Sequence, residues 1–380
     1  MGSRTTTRTA LAATIGLVLT ITGCTGSGAD SAGPRMLEAS GPGIKVGVIV
    51  SDPANSARWE QVDQPLLEEA MSAQGLQADV ENSEGDGTQF AAIADSMIND
   101  GVKVLVLAAP NNEVGVAVER KATARHIPTI DYGRFDVDGS VDVGGSADYV
   151  VSSDSVKSGD LQGRGLARGI RGARVRGADV IEIHGPQTDA TAPLLAQGAR
   201  NVLQPRYDSG AYRLVASRSV EVGQNAGTVF EQLLHAAGDH VDGVLAADDG
   251  MAGAVIAVLR KYGLNGKVRV TGLGATPEAL KAILRGDQFM TVFAPVDEQA
   301  TVTAKLAGAL ARDDRGTADR MVSEILPDPL GHHNVRTVLV PPVLITLDTV
   351  KLVIDSRMVD SHDICDGELA LRCDQLNIPR

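Results

Sequence analysis

From Lys45 onward the sequence alternates short β-branched runs with stretches of helical period, and this alternation constrains the fold more than any other feature. "KVGVIV" at 45–50, "KVLVLAA" at 103–109 and "IPTID" at 127–131 are nearly continuous apolar runs. Strands of this kind are buried on both faces, as in a parallel sheet covered by helices. Between them lie "RWEQVDQPLLEEAMSAQG", "TQFAAIADSMINDG" and "EVGVAVERKATARH", whose apolar residues recur at helical spacing. Pro65 is expected to kink or break the first of these helices. Gly75 and Gly101 stand where helix C-terminal glycines belong. Repeated βαβ units imply a doubly wound α/β sheet.

The pattern then restarts. Helices are expected near 155–170, 191–203, 222–237, 250–263 and 277–286. They alternate with the strands "ADVIEIHG", "YRLVAS", "DGVLAAD", "KVRVTGL" and "FMTVFAP". A helix at 298–311 and the strands of "TVLVPPVLIT" follow after this second unit is complete. Two lobes of similar plan are therefore expected, with the chain returning to the first and then to the second. The expected division is 44–152 plus 296–326 for one lobe, 153–295 plus 335–350 for the other, and a C-terminal extension over 351–380. Several crossing strands make a hinge, not a free linker.

The N-terminus carries an address. Arg4 and Arg8 precede "ALAATIGLVLTITGC", an apolar stretch of signal-peptide length that ends in small residues before Cys24. This resembles the lipobox of bacterial lipoproteins, which implies cleavage after residue 23 and acylation of Cys24. The Gly/Ser-rich "TGSGADSAGP" suits a flexible tether over 24–43. Loss of the two arginines takes the formal charge of −13 to −15. That acidity, with 3% aromatics, argues against a nucleic-acid surface. Cys365 and Cys373, eight residues apart in "DICDGELALRCDQL", are the other two of the three cysteines, and in an exported chain they are expected to form a disulfide.

In open α/β sheets a ligand sits beyond the C-terminal ends of the strands, and two lobes facing each other there form a cleft. Those ends carry Asp52, Arg58 and Trp59, then Asn111 and Asn112, Asp131 to Phe135, Asp189, Asp248 and Asp249, and Phe293. Trp59 is the single tryptophan of the chain and directly follows an arginine. Carboxylates, guanidinium groups and amides pair with neighbouring hydroxyls, while an aromatic face packs on the C–H face of a sugar ring.

Taken in order, "ARWEQ", "IPTIDYGRF", "YVVSSDSVKSGDLQGRGL", "HGPQTD", "VLAADDGMAGAVI", "GKVRVTG" and "MTVFAPV" resemble the type I periplasmic sugar-binding proteins of ABC importers, and most closely the D-xylose-binding proteins. The C-terminal cysteine pair looks like that of actinobacterial members. The resemblance implies that Arg58, Trp59, Arg134 and Asp249 are sugar-binding residues, with Asp189 and Asp248 beside them. It implies a lipid-anchored monomer on the extracytoplasmic face of the membrane, with a sugar-like ligand and an ABC permease as partners. Departures from the family pattern fall at Gly133, Ala190, Thr191, Ala196, Asp248, Leu273, Gly274 and Ala294, where relatives carry other polar or charged groups. These departures put xylose itself in doubt and leave open an exported sensor or adaptor with a degenerate cleft.

An enzyme is not expected. The chain lacks a nucleophile elbow, a dinucleotide fingerprint, a P-loop and a zinc-protease helix motif. His332 and His333 are adjacent and would face opposite ways in a strand, and "DVDGSVD" from Asp136 has no glutamate at the twelfth position of a calcium loop. No cofactor and no metal is expected.

Overall fold

The computed structural model describes residues 43–51, 62–133, 147–173, 176–187, 191–327 and 334–379. The first unit of the fold runs β1 (Ile44–Val50), α1 (Gln64–Ala73), β2 (Leu76–Asn82), α2 (Gly87–Asn99), β3 (Leu105–Leu107), α3 (Asn112–Ala124), β4 (Thr129–Tyr132) and β5 (Tyr149–Ser153). The second follows as α4 (Ser155–Gly172), β6 (Ala178–His184), α5 (Ala192–Asp208), β7 (Tyr212–Ser219), α6 (Ala226–Ala236), β8 (Gly243–Ala246), α7 (Asp249–Lys261), β9 (Arg269–Val270), α8 (Pro277–Arg285) and β10 (Thr291–Phe293). Then come α9 (Val296–Ala311), α10 (Arg315–Met321), β11 (Glu324–Pro327), β12 (Asn334–Val340), β13 (Val343–Ile345) and the short helices α11 (Lys351–Asp355), α12 (Ser361–Ile364) and α13 (Ala370–Gln375).

Among the described residues the first sheet has the order β11-β12-β5-β4-β3-β1-β2, parallel except for β11. Successive residues of β1 serve opposite faces, as the period of a strand requires. Val46, Val48 and Val50 pack with Leu67 and Met71 of α1 and Ala300, Ala304 and Leu310 of α9, whereas Ile49 packs with Phe90, Ile93 and Met97 of α2. The second sheet, β7-β6-β8-β9, is wholly parallel and covered in the same manner. Ile181 and Ile183 face α6 and α7, and Val180 faces α4 and α5. These are two doubly wound sheets, and the chain crosses between them after β5, after β10 and after β12. The last crossing ends in β13, which pairs antiparallel with β10.

Three local expectations change. Pro65 neither kinks nor breaks a helix, because α1 begins at Gln64 and the proline stands in its first turn, where no backbone N–H is required. The segment 335–350 does not belong wholly with the second lobe. Its β12 lies in the first sheet, parallel to β5 with Val338 opposite Val151, and only β13 is on the far side. A strand absent from the reading above, β2, forms the edge of the first sheet; "LQADVEN" exposes every second residue more, so it lacks the apolar run of its neighbours. The glycines Gly75 and Gly101 do close their helices in the left-handed region, at φ 68° and 80°.

The helix pair α4 and α5 is held unusually close. A Cβ on Gly159 would fall 1.9 Å from the Leu195 carbonyl oxygen, and one on Gly198 would fall 1.9 Å from that of Val156. Only glycine permits this backbone-to-backbone approach. It fixes the N-terminus of α5 against the crossing helix, directly beside the ends of β6 and β8.

The C-terminal extension packs on the second unit. Val353, Val359, Ile364, Leu369 and Ile378 join Leu280, Ile283 and Phe293 in one buried cluster. Cys365 and Cys373 are bonded within it, with Cα atoms 5.8 Å apart, in agreement with the sequence reading. One exposed pair, Arg357 with Glu69 at 2.9 Å, ties the extension to α1 of the first unit.

Candidate functional site

The C-terminal ends of the strands place the candidate residues. At the first sheet, Arg58, Trp59 and Arg134 lie outside the described residues, as do Asp189 and Ala190 at the second and Cys24, His332, His333 and the "DVDGSVD" motif at 136–142 elsewhere. What is described of the first sheet's rim is largely committed to the fold. Asn111 caps α3, its Oδ1 accepting the Val114 N–H at 3.1 Å. Gly133 turns the chain away from β4 at φ 75° and donates its N–H to the Val151 carbonyl, a backbone geometry in which a side chain would be strained. Below it, the buried Tyr132 hydroxyl donates to Asp63 at 2.6 Å.

At the second sheet the ends of β6, β8 and β9 surround a pocket of about 110 Å³. Its polar wall comprises His184, Thr191, Asp248 and Gln162, and its apolar wall includes Leu195, Ala196, Leu245 and Leu273. Asp248 is the N-cap of α7: its Oδ1 accepts the Met251 N–H at 2.7 Å, leaving Oδ2 with no protein partner among the described residues. Gln162 is 1% exposed, and its amide nitrogen lies within hydrogen-bond distance of the carbonyl oxygens of Ala246, Ala247 and Gly272, so α4 clamps the ends of β8 and β9 together.

Asp249 sits next in sequence but turns the other way. It is 6% exposed and absent from the pocket lining. Its Oδ2 accepts the Thr276 N–H at 3.0 Å, and its Oδ1 accepts from Gln288 Nε2 at 3.0 Å and Thr291 Oγ1 at 2.8 Å. Burial pushes the carboxyl above the usual range, with the neighbouring charge of Asp248 adding to the effect, while the three donors pull it back only in part. Room for this carboxylate comes from two glycines. A Cβ on Gly272 would stand 2.1 Å from Asp249 Oδ1, and Gly274, at φ 128°, passes close to Oδ2. Of the two adjacent aspartates singled out from sequence, the structure brings Asp248 to the pocket and binds Asp249 into the wall behind it.

His184 and Gln162 were not singled out from sequence. Both fall inside quoted motifs, "HGPQTD" and "SGDLQGRGL", and the available signals were a histidine at a strand end and a polar residue on the buried face of a helix. His184 Nε2 is 3.1 Å from Glu182 Oε2, and the other oxygen of Glu182 accepts the Tyr207 hydroxyl at 2.8 Å. Burial and the Glu182 charge hold the Tyr207 phenol far above its ordinary range, so it remains a donor. Among the described residues no cluster of three or more His, Cys, Asp or Glu is placed to hold a metal, and no helix is long and apolar enough to cross a membrane.

A two-sheet α/β body with its polar pocket at the strand ends is the plan of a solute-binding protein, and residues 46–315 match the family described as periplasmic binding protein domain. The chain belongs to that family. It is 29% identical over 288 residues to the D-xylose-binding periplasmic protein of Escherichia coli (strain K12), a match spanning 75% of this chain and 83% of that one. The D-xylose-binding periplasmic protein of Haemophilus influenzae is 28% identical over 330 residues, 85% of this chain and 90% of the relative. Among solved structures, a carbohydrate transporter solute binding protein from Chloroflexus aurantiacus, crystallised with D-glucose, superposes with a TM-score of 0.64 at 26% identity, covering 84% of this chain and 97% of that one. The resemblance read from the ordered motifs is thus borne out at the level of family and fold.

Proposed function

We propose that the protein is the extracytoplasmic solute-binding lipoprotein of an ABC-type sugar importer, taking a monosaccharide or related small polar ligand between the two sets of strand ends. The observation that carries this reading is the pocket at β6, β8 and β9, where Asp248 offers a carboxylate oxygen beside an apolar wall, on the fold of a family whose similar members are named for D-xylose. Arg58, Trp59 and Arg134 are assigned to the opposite wall by the sequence resemblance. Asp189 lies two residues before Thr191 in sequence, outside the described residues. Ligand binding closes the lobes about the three crossing segments. The activity is binding, not catalysis, and it calls for no cofactor.

Calorimetry with D-xylose, D-glucose, D-allose and myo-inositol tests this reading, with micromolar binding of at least one sugar as the expected result, equivalent to about 8 kcal/mol. Emission from Trp59 should change at saturation. Failure of all four at roughly 10 mM would overturn it.

The thinned polar complement favours a ligand other than xylose. Ala196 and Leu273 line the pocket where polar groups are expected, Gly274 is taken up in accommodating Asp249, and each lost charged hydrogen bond weakens binding by about 1.5–3 kcal/mol. D-xylose should therefore bind orders of magnitude more weakly than the preferred sugar. A second reading, an exported sensor or adaptor with a degenerate cleft, draws on the same apolar lining and is the one that complete failure of the sugar panel would leave. Anchoring is assigned to Cys24: Cys24→Ala should release the protein from the membrane or leave it unprocessed, and a variant that stayed bound without lipid label would exclude the anchor.

A further inference from the structure

His184 ends β6 at the point where the strand opens onto the pocket, and it lines that pocket. Glu182 lies two residues earlier and so on the same face of the strand, where α5 covers it with Tyr207. Both oxygens of Glu182 are occupied, one by the Tyr207 hydroxyl at 2.8 Å and one by His184 Nε2 at 3.1 Å. Among the described residues no lysine or arginine bridges to this carboxylate, whose side chain is 13% exposed. A carboxylate only accepts, so the Nε2 position carries a hydrogen. In the neutral ring Nδ1 is then a lone-pair acceptor, and it has no protein partner among the described residues. Asp248 lies on the neighbouring strand end, since Ile183 and Ala246 are register partners and the Ala247 N–H donates to the Ile183 carbonyl at 3.0 Å.

We propose that His184 is a ligand-contacting, specificity-setting residue of this pocket, with Glu182 and Tyr207 as the residues that position its ring. The proposal rests on the sugar-binding reading and deepens it. His184 Nδ1 and Asp248 Oδ2 come from adjacent strands, which stand about 4.8 Å apart, and both accept. They suit two neighbouring hydroxyls of a polyol, each donating to one of them. Leu195, Ala196 and Leu273 meet the ligand elsewhere, so the edge turned toward them carries hydrogens or a methyl group in place of further hydroxyls. The ligand class is a monosaccharide or cyclic polyol with one adjacent hydroxyl pair and one apolar edge. Fixing the tautomer through Glu182 makes the imidazole selective for a donor, because an ether or carbonyl oxygen at the same place would face a lone pair.

The test uses the mature protein and the same four sugars. His184→Ala is expected to weaken the tightest-binding sugar at least tenfold and to change the ratio of the D-glucose and D-allose dissociation constants. A loss of general order would instead weaken both equally. Glu182→Gln should keep its melting temperature near wild type and Tyr207→Phe should lower it modestly, since it leaves one Glu182 oxygen without its donor; both should weaken binding severalfold and move the His184 ¹⁵N shifts toward a mixture of tautomers. Saturation of the wild type with the tightest sugar should shift the His184 Nδ1 resonance, a readout that stands even if the alanine variant fails to fold. A folded His184→Ala protein with unchanged constants, or an unmoved Nδ1 resonance at saturation, overturns this proposal while leaving the sugar-binding reading intact. Absence of binding by the wild type overturns both.

Discussion

The two sets of strand ends that face a ligand are built on different principles. At the first sheet the candidate contacts stand eight and nine residues beyond β1, for Arg58 and Trp59, and two beyond β4, for Arg134, and the described rim spends its polar groups on caps and turns such as Asn111 and Gly133. At the second sheet the wall is drawn from the residues that follow β6, β8 and β9, with Gln162 tying the ends of β8 and β9 together, and it is braced from behind by Asp249 and the glycine contact of α4 with α5. A wall supported by buried hydrogen bonds holds its polar groups where the fold puts them. Selectivity by geometry is therefore expected from the second sheet, and affinity from charge and ring stacking is expected from the first.

The sharpest way to break this comparison is to push α4 and α5 apart. Gly198→Val would place a branched side chain against the Val156 carbonyl and should cost more than about 3 kcal/mol, seen as a large fall in the thermal midpoint and loss of the pocket at β6, β8 and β9. A variant that melts and binds like wild type would show that the close contact is not needed.

Next in size is the contrast between the neighbouring aspartates. Asp249→Ala leaves the Thr276 N–H and the Gln288 and Thr291 donors without their buried acceptor, so urea melts should show a loss of about 2–4 kcal/mol. Asp248→Ala removes only a helix cap and should cost about 1 kcal/mol, yet it should weaken sugar binding at least tenfold. If the stability losses are equal, or Asp249→Ala is stable but does not bind, the division of roles between pocket and brace is wrong.

Replacing both Cys365 and Cys373 by alanine opens a short loop in the cluster that covers α8, for an expected loss of about 2–3 kcal/mol with little change in ligand affinity. The smallest effect belongs to Arg357→Ala. This pair with Glu69 is exposed on both sides, at 72% and 66%, so the change in stability should stay within about 0.5 kcal/mol. A larger effect would mean that the extension couples to the first unit as well as covering the second.

The candidate site was legible in the sequence to the extent that residue type and strand ends could show it. "VLAADDG" identifies two aspartates after a strand, but the choice between them depends on Gly272, Gly274, Gln288 and Thr291, which lie 23 to 42 residues away from Asp249. His184 in "HGPQTD" is one polar residue among several, and its partner Tyr207 is brought beside Glu182 only by the packing of α5 on β6. Gln162 looks like a misplaced polar residue on a buried helix face until the three carbonyl oxygens it approaches are seen.

What the sequence by itself determined is local. Continuous apolar runs made the two parallel sheets, because strands buried on both faces cannot alternate with polar residues. Asp86, Asn111, Asp154, Asn225, Asp248 and Thr276 start their helices by accepting the first free N–H groups, and Gly75 and Gly101 end theirs in the left-handed region. The tertiary structure alone decided which sheet receives β12, because its partner β5 lies more than 180 residues earlier in the chain and no local pattern states that pairing. It also decided that Asp248 meets the pocket and Asp249 the wall. A side chain's direction depends on where unpaired donors converge around it, and those donors come from segments distant in the chain.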